Sequence, residues 1–139
     1  MTSRYALLLL AALAATGCDP RLVYESKLSP REVQALAGTW QGEARLTFGE
    51  EICPRVYQWN MTVAQGSAEG QLVDEKTPHA PPSVFKTFVE YDGSLNARAR
   101  PNGRDTNIRG AFVNREAFLG EAKSERCRYT IRLFHSAKS

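Results

Sequence analysis

The stretch GTWQGEARLTF, residues 38–48, alternates residue by residue. Trp40, Gly42, Ala44, Leu46 and Phe48 fall on one side, and Thr39, Gln41, Glu43, Arg45 and Thr47 on the other. Successive side chains of an extended chain point to opposite faces, so this period commits the stretch to a strand with one buried and one wet face. The same alternation returns along the chain. VYQWNMTV places Tyr57, Trp59, Met61 and Val63 inward, and residues 68–74 place Gly70 and Leu72 inward. VFKTFVEY puts Phe85, Val89 and Tyr91 on one side and Phe88 on the other, and Leu95, Ala97 and Ala99 alternate with Asn96, Arg98 and Arg100. Three further stretches bury Ile108, Gly110 and Phe112, then Phe118 and Gly120, then Cys127, Tyr129, Ile131 and Leu133.

Turn residues separate these stretches: Asp92-Gly93 reads as a hairpin turn, and Asn102-Gly103 as a turn within a longer loop opened by Pro101. About eight short strands with close turns predict an all-β, small antiparallel up-and-down barrel. An open meander would expose two edges, and closing it by pairing the first strand with the last removes them. Cys53 lies just beyond the first strand and Cys127 opens the last, so a bond between them would pin that junction. Loop-closure entropy puts such a bond at roughly 4 kcal/mol as an upper figure. Two buried free thiols, or a bond to another chain, are the alternatives.

The third cysteine, Cys18, ends an apolar leader. Arg4 supplies a positive charge, and Tyr5 to Ala15 form an apolar run of about eleven residues where a spanning helix needs roughly twenty, which reads as a signal peptide. Cleavage at a site such as Ala12-Leu13-Ala14 would leave three thiols in an oxidising compartment, one of them unpaired. Ala15-Thr16-Gly17-Cys18 resembles the lipobox of bacterial lipoproteins. That resemblance implies diacylglycerol and palmitate at Cys18, a stable membrane anchor, and a periplasm-facing place in the cell envelope, with Asp19 favouring the inner membrane. The expected organisation is a signal peptide at 1–17, a lipid-anchored tether at 18–28 and a β-barrel domain at 29–139. Ten or eleven tether residues reach at most about 35 Å. A formal net charge of +3 over 139 residues is too mild to point to nucleic acid.

SPREVQAL carries the signals of a short N-terminal helix: Ser29 as N-cap, Pro30 at the first position, Glu32 completing a capping box, and Gly38 placed to stop it. Gly38-Thr39-Trp40, opening the first strand after that helix, resembles the Gly-x-Trp signature of lipocalins and other calycins. The resemblance implies that the tryptophan closes the base of the barrel. It also implies that an arginine from the final strand region, where Arg126, Arg128 and Arg132 are available, packs across its ring. In size the domain is closer to small bacterial eight-stranded inhibitor barrels, including those that act on secreted metalloproteases.

Catalytic chemistry finds no constellation here. The two histidines, His79 in a proline-rich loop and His135 near the end, support neither a zinc site nor a triad and read as solvated. No cofactor and no metal is expected, and the chain is not read as an enzyme. Two sets of residues remain as candidates. Trp40, Tyr57, Trp59, Phe112 and Tyr129 would line a small apolar ligand if the interior were hollow, although so many large residues in a short chain favour a filled core. Lys76 and His79, on the stiff loop 74–83, and the outward Arg98, Arg100 and Arg109 would face a protein partner. The leading expectation is a non-catalytic envelope binding module that uses loops or its outer face. The alternatives are a carrier of a small apolar ligand and an inhibitor of an envelope or secreted hydrolase.

Overall fold

A computed structural model describes residues 28–136, so the leader, Cys18 and most of the tether lie outside the described residues. Helix α1 (Pro30–Gln34) starts as its sequence dictates: the Ser29 hydroxyl accepts the Glu32 N–H, and the Glu32 carboxylate accepts the Ser29 N–H, each at 3.4 Å. Its end departs from expectation. Ala35 and Leu36 close the turn with bonds to Glu32 O and Val33 O, at 3.0 and 3.2 Å, and Ala35 stays right-handed. Gly38 does not cap the helix but opens the first strand, with φ +132°, where a Cβ would come within 2.5 Å of the His135 ring. Glycine is required there for both reasons.

Eight strands follow: β1 (Gly38–Gly49), β2 (Val56–Ala64), β3 (Ser67–Asp74), β4 (Ser83–Phe88), β5 (Ser94–Ala99), β6 (Thr106–Phe112), β7 (Ala117–Lys123) and β8 (Cys127–His135). They form one antiparallel sheet in the order β4-β3-β2-β1-β8-β7-β6-β5. The sheet curls into a nearly closed barrel with first and last strands paired, from Trp40↔His135 through Ala44↔Ile131 to Gly49↔Cys127. The up-and-down course gives the barrel two ends. One carries α1 and the turns at 65–66, 89–93 and 113–116; the other carries the loops 50–55, 75–82, 100–105 and 124–126.

The inward residues of all eight strands make one continuous core, with Trp40, Met61, Ile108, Phe112, Phe118 and Ile131 fully buried. Gly70 belongs to it because the Phe85 ring occupies the space a Cβ would need. Two expected inward aromatics point out instead. The β1–β8 register shifts between Leu46 and Phe48, a bulge that breaks the alternation and leaves Phe48 76% exposed. Tyr91 lies past the end of β4, in a loop where Glu90 N–H donates to Ser94 O and Gly93 N–H to Glu90 O, and is 90% exposed. That loop is therefore longer than the two-residue turn expected of Asp92-Gly93.

Cys53 and Cys127 form a disulfide across 74 residues of sequence, with Cα atoms 5.8 Å apart. It reinforces β1–β8, which is a full ladder. The open junction of the barrel lies elsewhere, between β4 and β5, where a single bridge, Val89↔Leu95, stands in place of a ladder.

Candidate functional site

The helix end of the barrel is stoppered. Trp40, entering from β1 directly after the helix, donates its indole N–H to Leu36 O at 2.9 Å, and its ring meets Phe112 edge-on at 4.7 Å. Phe118 continues the cluster, 5.0 Å from Phe112. Across the other face of Trp40 lies His135, stacked at 4.6 Å with the planes 5° apart and a ring nitrogen 3.2 Å from Ala37 O. The expected arginine is thus a histidine. Arg126, Arg128 and Arg132 all lie exposed, while His135 shares the inward parity of Ile131 and Leu133. The expectation that His135 is solvated is corrected by the same contact. Outside the stopper, Arg115 on the 113–116 turn reaches Glu32 of α1 at 3.8 Å.

The opposite end is stoppered by different means. Tyr57 and Tyr129 meet at 5.2 Å; Tyr129 O–H donates to Pro54 O at 2.7 Å, and Asn102 donates to the Tyr57 oxygen at 3.1 Å. Burial, with the Asp74 carboxylate next in weight, pushes the Tyr57 hydroxyl above its usual range. Burial and the neighbouring Tyr57 do the same to Tyr129. Arg104, a residue with no periodic signal to mark it, bonds Cys127 Sγ at 3.1 Å and Ile52 O at 3.3 Å, tying the 100–105 loop to the disulfide.

The five expected ligand-facing aromatics therefore separate. Trp40 and Phe112 belong to one stopper and Tyr57 and Tyr129 to the other, while Trp59 packs between β2 and β4 against Phe85, with ring centres 5.3 Å apart. The Trp59 indole N–H is buried with no acceptor among the described residues.

On the outside, Lys76 and His79 lie exposed on the loop 75–82, whose start is fixed by Lys76 N–H donating to the Asp74 carboxylate at 2.9 Å. A surface hollow of about 670 Å³ beside it mixes Glu50, Glu51 and Glu75 with Arg45, Arg55 and Lys76. Arg98 and Arg109 are brought together elsewhere. They flank a hollow of about 400 Å³ over β4, β5 and β6, with Lys86, Thr87, Asn96 and Asn107. Arg100 stands apart, paired with Asp105 at 3.0 Å. Lys86 and Asn96 had no sequence signal as site residues, because strand periodicity does not say which two neighbours fail to pair. Among the described residues, no group of His, Cys, Asp and Glu is placed to hold a metal ion, and no helix is long and apolar enough to cross a membrane.

What these features define is a small, nearly closed eight-stranded antiparallel barrel with both ends plugged, consistent with a lipocalin-like architecture. No protein-family model and no curated protein matches the sequence.

Proposed function

We propose that this chain is a cell-envelope lipoprotein, held by lipid on Cys18, whose lipocalin-like barrel is a non-catalytic module that binds a protein partner through its loops or outer face. The observation that carries this reading is the filled interior. Inward side chains from every strand form one core, and each end has its own plug, which leaves the outside for recognition. The outside also carries exposed apolar side chains on β4, Val84 at 64% and Phe88 at 73% exposure. Trp40, following Gly38 at the head of β1 and covered by a side chain of the last strand, supports the calycin part of the reading.

Photo-crosslinking residues placed singly at Lys76, His79, Arg98, Arg100 and Arg109 test the reading in the intact cell envelope. A discrete protein adduct from one cluster is the expected result, and adducts from none of the five would overturn it. Cys18→Ser is expected to release the protein from membranes, and retention would remove the lipid anchor from the proposal. One observation favours the carrier alternative. The unpaired Trp59 N–H is a buried donor that a carbonyl-bearing ligand would satisfy. A small-molecule adduct in native mass spectrometry, lost in Trp59→Phe, would support it over the partner-binding reading.

A further inference from the structure

The β4–β5 junction has the parts of a strand-acceptor site. Val89 N–H donates to Gly66 O, on the β3 side, and Glu90 N–H donates to Ser94 O, on the β5 side. In an antiparallel strand alternate residues bond alternate neighbours. This phase therefore turns the backbone groups of Val84, Lys86 and Phe88 toward β5, and those of Asn96 and Arg98 toward β4. Beyond the Glu90–Ser94 bond, one hydrogen bond crosses the junction among the described residues, from the Thr87 hydroxyl to Asn96 O. Past the Val89↔Leu95 bridge the two strand edges face each other with no backbone ladder between them. Such edges template pairing with another chain.

The side chains along the edges state what that chain should look like. On the inner side the floor is Phe85, Ala97 and Ala99, all buried and apolar. On the outer side stand Lys86, Arg98 and, one strand further, Arg109. Lys86 has Glu69 beside it at 3.0 Å, both exposed, whereas Arg98 and Arg109 have no ion pair among the described residues. Resting on the reading of the chain as a protein-binding module, we infer that the β4–β5 junction accepts an extended segment of a partner protein, apolar and acidic at alternate positions. The segment would add as a strand between the two edges, with its apolar residues packed beside Phe85 and Ala97 and its carboxylates toward Lys86, Arg98 and Arg109. Its entry would break the Thr87–Asn96 bond and part the edges to the two strand spacings of about 4.8 Å each that it needs. A membrane or nucleic acid would use the cations but leave the backbone edges unpaired, which is why a peptide fits better.

The test uses the full-length chain and an acetylated peptide of about seven residues alternating valine and glutamate, followed by calorimetry and amide hydrogen exchange. Binding with slowed exchange at Val84, Lys86 and Arg98 is expected. A valine–lysine peptide should bind at least about tenfold more weakly, because like charges oppose it. Peptide methylated on alternate backbone nitrogens should lose binding, because its ladder donors are gone. Thr87→Cys/Ala97→Cys, register mates when the Val89↔Leu95 pairing is extended, staples the junction shut and should abolish binding. Val84→Pro removes one edge donor without touching the β3 ladder and should weaken binding in a protein that still folds. Undiminished binding to the stapled form overturns the inference, as does protection at another edge or no binding at all. The same protection from phosphatidylglycerol vesicles, or from raising protein concentration without peptide, would also overturn it. If the stapled protein still crosslinks the protein captured by the wild-type chain, the junction fails while the binding-module reading stands. If the wild-type chain crosslinks nothing, that reading fails, and the peptide result is judged by itself.

Discussion

The contact between Trp40 and His135 ties three parts of the chain to one ring. The indole N–H holds Leu36 O at the end of α1, one face meets Phe112 of β6, and the other is covered by the last residue of β8. His135→Ala uncovers that face. The stacking contribution of about 0.5–1.5 kcal/mol should be lost, read as a lower urea midpoint with red-shifted tryptophan emission. His135→Arg should recover part of it, since a guanidinium also stacks on indole. Equal midpoints for His135→Ala and wild type would mean that the ring merely rests there. This covering residue was legible in principle: His135 continues the inward parity of Ile131 and Leu133, and β8 simply runs one residue further than the alternation suggests. The tyrosine plug makes a pH prediction. Tyr57 and Tyr129 have hydroxyls whose pKa is raised in the fold, chiefly by burial, so they ionise less readily there. Their neutral forms therefore favour the folded state, a contribution complete below the ordinary tyrosine value near 10 and lost as pH rises beyond it. Thermal melts from pH 8 upward should show stability falling above about pH 10. Tyr57→Phe/Tyr129→Phe should start lower, having lost the Tyr129 bond to Pro54 O, but decline less steeply. Parallel profiles would sink the argument.

At the scale of single elements, period-two alternation identified every strand and nearly every inward residue, because a barrel strand has one dry face and one wet face along its whole length. It failed where backbone geometry leaves that rule. The β1 bulge at Leu46–Phe48 and the end of β4 before Tyr91 are set by pairing with other strands, which local pattern does not encode. Two phenylalanines with the same expected orientation make the difference measurable. Phe112→Ala should cost about 3–5 kcal/mol, as for a fully buried ring, whereas Phe48→Ser should stay within about 0.5 kcal/mol of wild type. A large loss at Phe48 would place it back in the core. The disulfide, by contrast, was argued from strand order, and the Cys53–Cys127 bond stands where first and last strands meet. Replacing both cysteines by alanine should lower stability by up to about 4 kcal/mol, from restored freedom of the unfolded chain. The loss is checked by chemical denaturation with and without reductant, and reductant should leave the alanine variant unmoved.

For the whole molecule, the informative point is where the barrel is weakest. Closure by pairing first and last strands suggests a seam between chain ends, yet β1–β8 is a full ladder with a disulfide at one end and the Trp40–His135 stack at the other. The weak line falls in the middle of the sequence, between two six-residue strands joined by a short loop. Sequence proximity made that hairpin look secure. Its failure to zip shows only in the strand order of the whole sheet, which no single stretch records. Local opening should follow the same geography, because regions with few cross-strand bonds open at a small fraction of the global unfolding free energy. Hydrogen exchange should therefore find the amides of Val84, Lys86 and Arg98 exchanging early, although each sits inside a strand. The β1–β8 ladder around Ala44 and Ile131 should exchange only with global unfolding. The Thr87→Cys/Ala97→Cys staple should slow the first group and leave the second unchanged. If the β1–β8 amides exchanged first, the barrel would open between its chain ends, and the β4–β5 junction would be only a variation in an otherwise closed wall.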